Sequence, residues 1–259
     1  MFFLIFIYDH AEYFPPKQNP PLSQADYAHR GLHDSSRLIP ENSMPAFRET
    51  VKQNLAIELD IHLTRDGKVV VFHDESLKRI CNAEGTVEDS TFDALQHLHL
   101  SGTSEHMPLF SDVLRYVNGR VPLLIELKLP DSNMKLCPAA WDILKDYKGP
   151  YMVQSFNSLG IRWFHKHAPQ VLRGQLSSAL TRTNPENPFL ARFCVQFLLT
   201  NLICRPDFIS YKLADAGNPS VWLNHYLYRI PMQSGHSAIK KLIKLHGINM
   251  ICISLKVSP

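Results

Sequence analysis

The sequence lacks the cysteine pattern of a disulfide-bonded domain. Its five cysteines are odd in number, widely spaced and without a C-x-x-C motif. Small secreted domains carry closely spaced, paired cysteines, whereas this usage is typical of free thiols in a reducing compartment. We therefore expect a cytoplasmic protein with unpaired thiols.

An apolar run long enough to span a bilayer is also missing. Residues 1–8 are strongly apolar, but Asp9, His10 and Glu12 follow at once. No basic residues precede the run and no small-residue cleavage site follows it, so we expect neither a span nor a signal peptide. Four prolines between residues 14 and 22 predict an extended or poorly ordered lead-in over residues 1–25. An N-terminal signal or anchor, and with it membrane association, stays open as the alternative.

Neither an excess of one charge nor a glycine-rich loop is present. The 27 basic and 24 acidic residues give a net charge of +3, and the basic residues are scattered. This pattern does not predict a nucleic-acid partner. The absence of a glycine-rich phosphate loop argues against an open doubly wound sheet. With 45% hydrophobic and 20% charged residues and no repeat, the chain has the composition of one globular domain. Its oligomeric state is not predicted.

The clearest element is a strand over residues 55–63. Its odd positions are apolar, while Glu58, Asp60 and His62 share the even face. If the odd face packs on helices, both carboxylates point the same way. Two carboxylates so close repel each other unless a cation lies between them. His62 could be a plain polar residue near the strand's end.

Two further runs carry polar residues on or beside apolar strands. Residues 68–72 form a β-branched run that ends at His73, and a histidine at a strand's end is well placed for proton transfer. Residues 121–129 include a strand with Glu126 and Lys128 on its polar face. A set of carboxylates favours a hard cation, Mg²⁺ or Ca²⁺, over zinc. Single acidic residues on strands are more often ion-paired or solvated, and Lys128 could simply neutralise Glu126.

Strands alternate with helices along the chain. This order predicts an α/β fold, a TIM (β/α)8 barrel with a small insertion after the third strand. We expect one domain over residues 26–259 and place the insertion at about residues 75–108. The remaining predicted strands are residues 26–31, 151–155, 171–176 and 207–211. The predicted helices include one after Ser43 and others at residues 92–98, 110–117, 138–147, 159–167, 189–204, 220–228 and after Ser237.

Six short motifs, taken in order, resemble the glycerophosphodiester phosphodiesterase family. One motif alone would be weak, but six in this order are specific, and they cover residues 26–156. The family has a TIM barrel with a small insertion after the third strand. Its reaction is metal-dependent hydrolysis of a glycerophosphodiester to glycerol 3-phosphate and an alcohol. The motifs are AHRG at 28–31, PENS at 40–43, IELD at 57–60, FHD at 72–74, IELK at 125–128 and QSF at 154–156.

The resemblance implies roles for nine residues. Two histidines would be the general acid and base: His29 and His73. Three carboxylates would bind a divalent cation, Mg²⁺ or Ca²⁺: Glu58, Asp60 and Glu126. Two basic residues would hold the substrate phosphate: Arg30 and Lys128. Two residues would orient the ligands or bound water: Glu41 and Asn42. Such a set suits the reaction, because phosphate charge must be screened and two protons must move.

Near its C-terminus the sequence departs from the family. The family has a Trp-Thr-Val segment on a late strand, and the corresponding residues here, 230–233, are IPMQ. Residues 248–259 also match the family poorly. Three functions therefore stay open. The first is hydrolysis of small glycerophosphodiesters such as glycerophosphocholine or glycerophosphoethanolamine. The second is a related activity on lysophospholipids or polyglycerol phosphate, favoured by the apolar N-terminus and by residues 189–204, a core or interfacial helix. The third is a catalytically impaired barrel that binds a phosphoester.

Overall fold

The computed structural model describes residues 25–130, 133–183, 188–211, 219–221, 232–234 and 250–252. The predicted lead-in up to residue 24, most of the predicted helix 220–228 and the predicted helix after Ser237 lie outside these residues. Among the described helices, none combines the length and the hydropathy needed to cross a membrane.

The strands of the described residues pair into a single sheet. In chain order they are β1 (Tyr27–His29), β2 (Ala56–Leu63), β3 (Val69–Val71), β4 (Leu123–Leu127), β5 (Tyr151–Ser155), β6 (Arg173–Ser177), β7 (Phe208–Tyr211), β8 (Met232–Ser234) and β9 (Met250–Cys252). β3 pairs antiparallel with β2, and the other eight are parallel neighbours in chain order. Eight parallel strands, with helices in the described connections, confirm the predicted TIM-barrel class.

Helices follow most of these strands, and local signals set several of their ends. They are α1 (Met44–Lys52), α2 (Lys78–Cys81), α3 (Phe92–Gln96), α4 (Phe110–Val117), α5 (Leu136–Leu144), α6 (Ser158–His167), α7 (Leu180–Thr183), α8 (Phe189–Gln196) and α9 (Asn201–Cys204). The Ser43 side chain accepts the Ala46 N–H and begins α1, as predicted. Asn118 takes the left-handed conformation, φ 45°, and ends α4.

The prediction of one helix over residues 189–204 is wrong. α8 ends at Gln196 and α9 begins at Asn201, with Leu198 between them at φ 56°. Leu198 is 3% exposed and packs with Ile209 and Tyr211 of β7. Burial of a leucine side chain is worth about 1.5–3 kcal/mol, which offsets a left-handed strain of about 1–2 kcal/mol. Tertiary packing therefore breaks the helix.

The two faces of β2 separate the core from the barrel interior. Ile57, Leu59 and Ile61 are fully buried and pack with Phe47 of α1 and Phe110 of α4. Because side chains alternate along a strand, the even positions of β2 face the interior.

An apolar layer closes the interior at the starts of the strands. Its buried members are Tyr27, Ala56, Leu124, Met152 and Phe208. The polar even positions of β2 lie above this layer, towards the carboxyl ends of the strands, where active sites of TIM barrels lie.

The β2–β3 hairpin brings His73 back over the barrel. Gly67 supplies a left-handed turn at φ 77°, and Ile61 then pairs with Val71. The Phe72 N–H donates to the Asp60 carbonyl at 3.0 Å. Because β3 runs antiparallel to β2, His73 lies at the level of Asp60. The sequence pattern did not reveal this direction of β3.

Between β3 and α4 the chain makes the excursion that the polar residues after Asp74 predict. It contains α2 and α3, and it has a hydrophobic cluster of its own. The fully or almost fully buried members of this cluster include Phe72, Leu77, Val87, Leu95 and Met107. The cluster holds the polar residues of the excursion in place beside the barrel mouth.

Candidate active site

Three carboxylates meet inside the barrel where β2 and β4 pair. Asp60 and Glu126 are register partners, and Glu58 lies two residues earlier on β2. One oxygen of each carboxylate lies within 4.8 Å of the others. All three residues are buried. The structure therefore brings together the three predicted metal ligands.

These residues fit a divalent cation. Burial, followed by the charges of Asp60 and Glu126, raises the pKa of Glu58 well above its ordinary value. Asn42 donates through Nδ2 to Asp60 Oδ2 at 2.9 Å. Its buried Oδ1 has no hydrogen-bond partner among the described residues. A cation or its bound water would satisfy such an oxygen, and oxygen-only donors suit Mg²⁺ or Ca²⁺.

Two basic side chains reach the same carboxylates. Lys128 Nζ lies 3.0 Å from Asp60 Oδ1 and bonds to Glu126 Oε1. Arg30 Nε lies 3.7 Å from Asp60 Oδ2. Burial would raise the pKa of Asp60, but Lys128, His73 and Arg30 hold it well below its ordinary value. Lys128 thus neutralises Glu126 and Asp60 here, and the predicted contacts of Lys128 and Arg30 with a phosphate stay a prediction.

The turn after β1 aims Arg30 at this cluster. Arg30 and Gly31 are consecutive left-handed residues, with φ 57° and 76°. The Arg30 N–H donates to Glu58 Oε2 at 3.0 Å, and the Asn42 N–H donates to the Arg30 carbonyl at 2.9 Å. A left-handed arginine is strained, and these bonds hold it in place.

Glu41 connects Arg30 to a second arginine that sequence reasoning missed. Glu41 accepts a hydrogen bond from Arg30 at 2.8 Å and two from Arg79 at 2.7 and 3.0 Å. Burial would raise the pKa of Glu41, but the two arginines lower it. Arg79 lies on the short helix α2, and no motif or periodicity links it to residue 41. Glu41 therefore pairs with a residue that only the fold reveals, and its predicted supporting role stays a prediction.

The same arginine holds the partner of His73. Arg79 donates to Asp74 at 2.5 and 2.9 Å, and His73 Nδ1 lies 2.5 Å from Asp74 Oδ1. Burial would raise the pKa of Asp74, but bonds from Arg79 and His73 lower it to about 2. Asp74 is therefore ionised at neutral pH and favours a proton on Nδ1 of His73, which leaves Nε2 as the accepting nitrogen.

His29 ends β1 beside its register partner Glu58. The ring is half-buried and makes no hydrogen bond within the described part of the chain. Burial, Arg30 and His73 lower the pKa of His29 to about 4, although Asp60 opposes them. In the ligand-free protein His29 is therefore a neutral imidazole at pH 7.

His62 is buried, and both of its ring nitrogens lie within hydrogen-bond distance of a partner. It is 2% exposed, its Nδ1 lies 2.5 Å from Glu88 Oε1, and its Nε2 lies 3.2 Å from the His73 carbonyl. Glu88 comes from the excursion after β3, so its pairing has no local sequence signal. The pair fixes the backbone at His73.

An open cavity of about 180 Å³ adjoins these groups. Its lining includes His73, Glu126, Lys128, Glu75 and Phe156. A small anionic ligand in this cavity would meet a histidine, a lysine and Glu126, one member of the buried carboxylate cluster. That combination can polarise and cleave a phosphoester.

Comparison with known proteins points to the same chemistry. A family model described as "Glycerophosphoryl diester phosphodiesterase family" matches residues 29–208. The glycerophosphodiester phosphodiesterase of Bacillus altitudinis is 31% identical over 162 residues, which cover 56% of this chain and 63% of that protein. Glycerophosphodiester phosphodiesterase 1 of Bos taurus is 38% identical over 188 residues, which cover 71% of this chain and 50% of that protein. The matched part is less than two thirds of the length of either relative.

Solved structures share the fold. A phosphodiesterase from Oleispira antarctica, in complex with the product sn-glycerol-3-phosphate, has a TM-score of 0.67 at 19% identity. The match covers 88% of this chain and 91% of that chain. A glycerophosphodiester phosphodiesterase from Thermotoga maritima has a TM-score of 0.63 at 20% identity, covering 88% and 92%. Because the family model matches well over half of the sequence, the chain belongs to the glycerophosphoryl diester phosphodiesterase family.

Proposed function

We propose that this protein hydrolyses glycerophosphodiesters to glycerol 3-phosphate and an alcohol, with the help of a divalent cation. The observation that carries the proposal is the buried trio Glu58, Asp60 and Glu126 beside an open cavity that His73 and Lys128 also line. Membership of the family supports the same reaction.

The three carboxylates would hold the cation, and Asn42 would orient Asp60. When bound, the cation supplies Lewis-acid screening of the phosphoryl charge. Arg30 and Lys128 lie against the same carboxylates, and their positive charges would stabilise the non-bridging phosphoryl oxygens. Both predicted phosphate-binding residues therefore have a position that suits the role.

Two histidines would transfer the protons. The oxygen of a water molecule attacks phosphorus while the bond from phosphorus to the alcohol oxygen breaks. One proton is removed from the water and one is supplied to the departing alcohol oxygen, which gives glycerol 3-phosphate and the free alcohol. We assign His73 as the base, because Asp74 keeps the proton on Nδ1 and leaves Nε2 free. We assign His29 as the acid, because a phosphodiester anion beside it would stabilise its protonated form.

Release of glycerol 3-phosphate from glycerophosphocholine tests the proposal. We expect release by purified protein with Mg²⁺ or Ca²⁺, its loss with chelator, and its loss in Glu58→Gln. Replacement of His29 or His73 by alanine should lower kcat by about 10²- to 10⁴-fold. Glu49→Gln, which changes a carboxylate on α1 that pairs with Lys52 and Gln53 alone among the described residues, should keep full activity. Release that persists in folded Glu58→Gln would contradict the proposed site.

The cavity also favours a cationic alcohol. The carboxylate of Glu75 and the ring of Phe156, which is 41% exposed, line the same cavity. An ammonium group is attracted by a carboxylate and by an aromatic face. We therefore propose choline or ethanolamine diesters as the preferred substrates.

Glu75→Gln tests this preference. We expect KM for glycerophosphocholine to rise about three- to fivefold, because an exposed charge pair contributes at most about 1 kcal/mol. KM for glycerophosphoglycerol, whose alcohol is neutral, should stay unchanged. Equal effects on the two substrates would argue against an ammonium subsite. Glu84→Gln is the control, since Glu84 is an exposed carboxylate that pairs with Lys78 outside the cavity.

A further inference from the structure

Exposed large hydrophobic side chains are concentrated in one region of the described residues. Seven of these eight side chains lie between residues 156 and 203, and the eighth is Leu38. Their exposed fractions run from 41% to 71%. Together they form what we call the apolar patch: Phe156, Leu159, Phe189, Leu190, Leu199, Leu202 and Ile203. Such a concentration marks an interaction surface rather than scattered surface residues.

A hydrogen bond joins the α6 and α9 parts of the patch. Ser158 Oγ donates to Thr200 Oγ1 at 2.8 Å. This bond brings the first turn of α6, with Leu159, next to Leu199 at the start of the α9 region. The exposed Leu202 follows on α9.

A backbone bond ties the end of α8 to Leu199, since the Leu199 N–H donates to the Cys194 carbonyl at 2.9 Å, and the rings of α8 lie against one another. The ring centres of Phe193 and Phe197 lie 4.5 Å apart, and those of Phe189 and Phe193 lie 6.2 Å apart. No residue of α8 is buried, although the helix contains two phenylalanines, a leucine and a valine. An apolar helix that rests on the surface in this way is typical of interfacial segments.

The charge of this part of the chain is one-sided. Residues 147–206 contain seven lysines and arginines but only one acidic residue; one of the seven, Arg173, is buried and pairs with Asp207 just beyond this range. Arg162 and Lys166 follow Leu159 at helical spacing on α6, so all three share one side of that helix. The Arg192 guanidinium lies 5.8 Å from the ring centre of Phe189 on α8. Basic side chains therefore border the apolar patch.

Two cations of α6 are available to a partner. In the described part of the chain, no carboxylate pairs with Arg162 or Lys166, and Lys166 is exposed. Arg192 is less available, because its guanidinium donates to the Leu180 and Thr181 carbonyls. An apolar surface bordered by unpaired cations is complementary to a partner that is apolar within and negatively charged at its surface.

The patch also reaches the candidate active site. Phe156 belongs to the patch and lines the cavity that His73 and Lys128 share. A partner on the patch would therefore lie beside the mouth of the cavity.

We propose that the apolar patch docks on the surface of an anionic phospholipid bilayer, with the cavity mouth beside the lipid headgroups. Leucine and phenylalanine side chains would enter the boundary between headgroups and acyl chains, and Arg162 and Lys166 would contact anionic headgroups. A second copy of the chain fits less well, because a symmetric contact would bring the same unpaired cations together. Docking goes beyond the proposed hydrolysis and does not require it.

Co-sedimentation of the full chain with vesicles tests the proposal. The vesicles are phosphatidylcholine alone or with phosphatidylglycerol. We expect binding that needs phosphatidylglycerol and weakens as salt rises. The double variant Phe189→Ser, Leu190→Ser should bind at least about tenfold more weakly, because it removes two exposed apolar side chains from the contact. Arg162→Glu with Lys166→Glu should also bind at least about tenfold more weakly.

Matched controls separate the patch from other surfaces. Leu38→Ser, which changes an equally exposed leucine outside the patch, and Lys52→Glu on α1 should bind like the wild type. Hydrolysis of soluble glycerophosphocholine should be the same in all four variants, so loss of binding and loss of turnover are distinguishable. Absence of wild-type binding, or equal binding by the patch variants, would overturn the proposal. So would sedimentation that shows a dimer which the patch variants convert to a monomer.

Discussion

At the scale of single residues, the site depends on ion pairs between positions far apart in the chain. Arg79 is 38 residues from Glu41 and 5 from Asp74, yet its guanidinium bonds to both carboxylates. Arg79 is not part of the cluster of three carboxylates, and it does not line the cavity. We therefore expect Arg79 to act through its two partners, as a positioning residue.

Replacing Arg79 should lower turnover without loss of the fold. We expect Arg79→Ala to reduce kcat by about 10- to 100-fold, the usual effect of losing a supporting partner. Asp74 would no longer be held against His73, so the pH profile of kcat should shift as well. Arg79→Lys should recover part of kcat. Steady-state kinetics across pH measure both effects, and Lys78→Ala, which changes an exposed neighbour, is the control. An unchanged pH profile of kcat in Arg79→Ala would refute the positioning role of Arg79.

Asp74 should contribute stability that disappears in acid. Its pKa is lowered to about 2 in the folded protein, while a free aspartate has a pKa of about 3.9. A lowered pKa means that the contribution is present above pH 4 and is lost as pH falls towards 2. Asp74→Asn should therefore unfold at lower urea than the wild type at pH 7, and the difference should shrink between pH 4 and 2. Partial exposure keeps the effect small.

At the scale of elements, the connection from β1 to α1 decides where His29 and Arg30 lie. Gly31 takes φ 76°, and a Cβ there would lie 2.9 Å from the Ala46 side chain and 3.0 Å from the Ala46 backbone. Gly67 takes φ 77° in the β2–β3 turn, but a Cβ there would meet nothing within 4 Å. The two glycines share a conformation and differ in the space around them.

This pair gives a matched test. Gly67→Ala should lower the free energy of unfolding by about 1 kcal/mol, from backbone strain alone. Gly31→Ala should lower it by about 2–4 kcal/mol, because the clash with α1 adds to the strain. It should also lower activity, since Arg30 immediately precedes it. Urea unfolding of both variants measures the difference, and equal losses would show that contact with α1 is unimportant.

At the scale of the whole molecule, the barrel interior combines an apolar floor with a charged upper layer. The carboxylates of that layer repel one another, as the raised pKa of Glu58 indicates. A bound cation would remove this repulsion in the folded state only, so binding should stabilise the entire barrel.

Thermal unfolding should report the cation independently of activity. When the concentration of Mg²⁺ or Ca²⁺ is about 100 times its Kd, the cation should stabilise the fold by about 2.7 kcal/mol. This corresponds to a rise in Tm of about 5–10 °C. Glu126→Gln should lose most of the rise, and Glu49→Gln should keep it. Sodium chloride at equal ionic strength is the blank. An identical rise in wild type and Glu126→Gln would place the bound cation elsewhere.

The sequence by itself determined the fold class, the bounds of most described strands and the composition of the site. These properties are local, because the alternation along 55–63 acts within a few residues. The family motifs, which are short and ordered, predicted the three carboxylates that the structure brings together.

Only the tertiary structure decided how these parts meet. It set the antiparallel return of β3 that places His73 over Asp60, the break at Leu198 between α8 and α9, and the bonds of Arg79 to Glu41 and Asp74. It also exposed the apolar patch. Each of these depends on contacts between residues distant in the chain, and the burial and charge of a side chain's surroundings are set by the fold and not by its immediate neighbours.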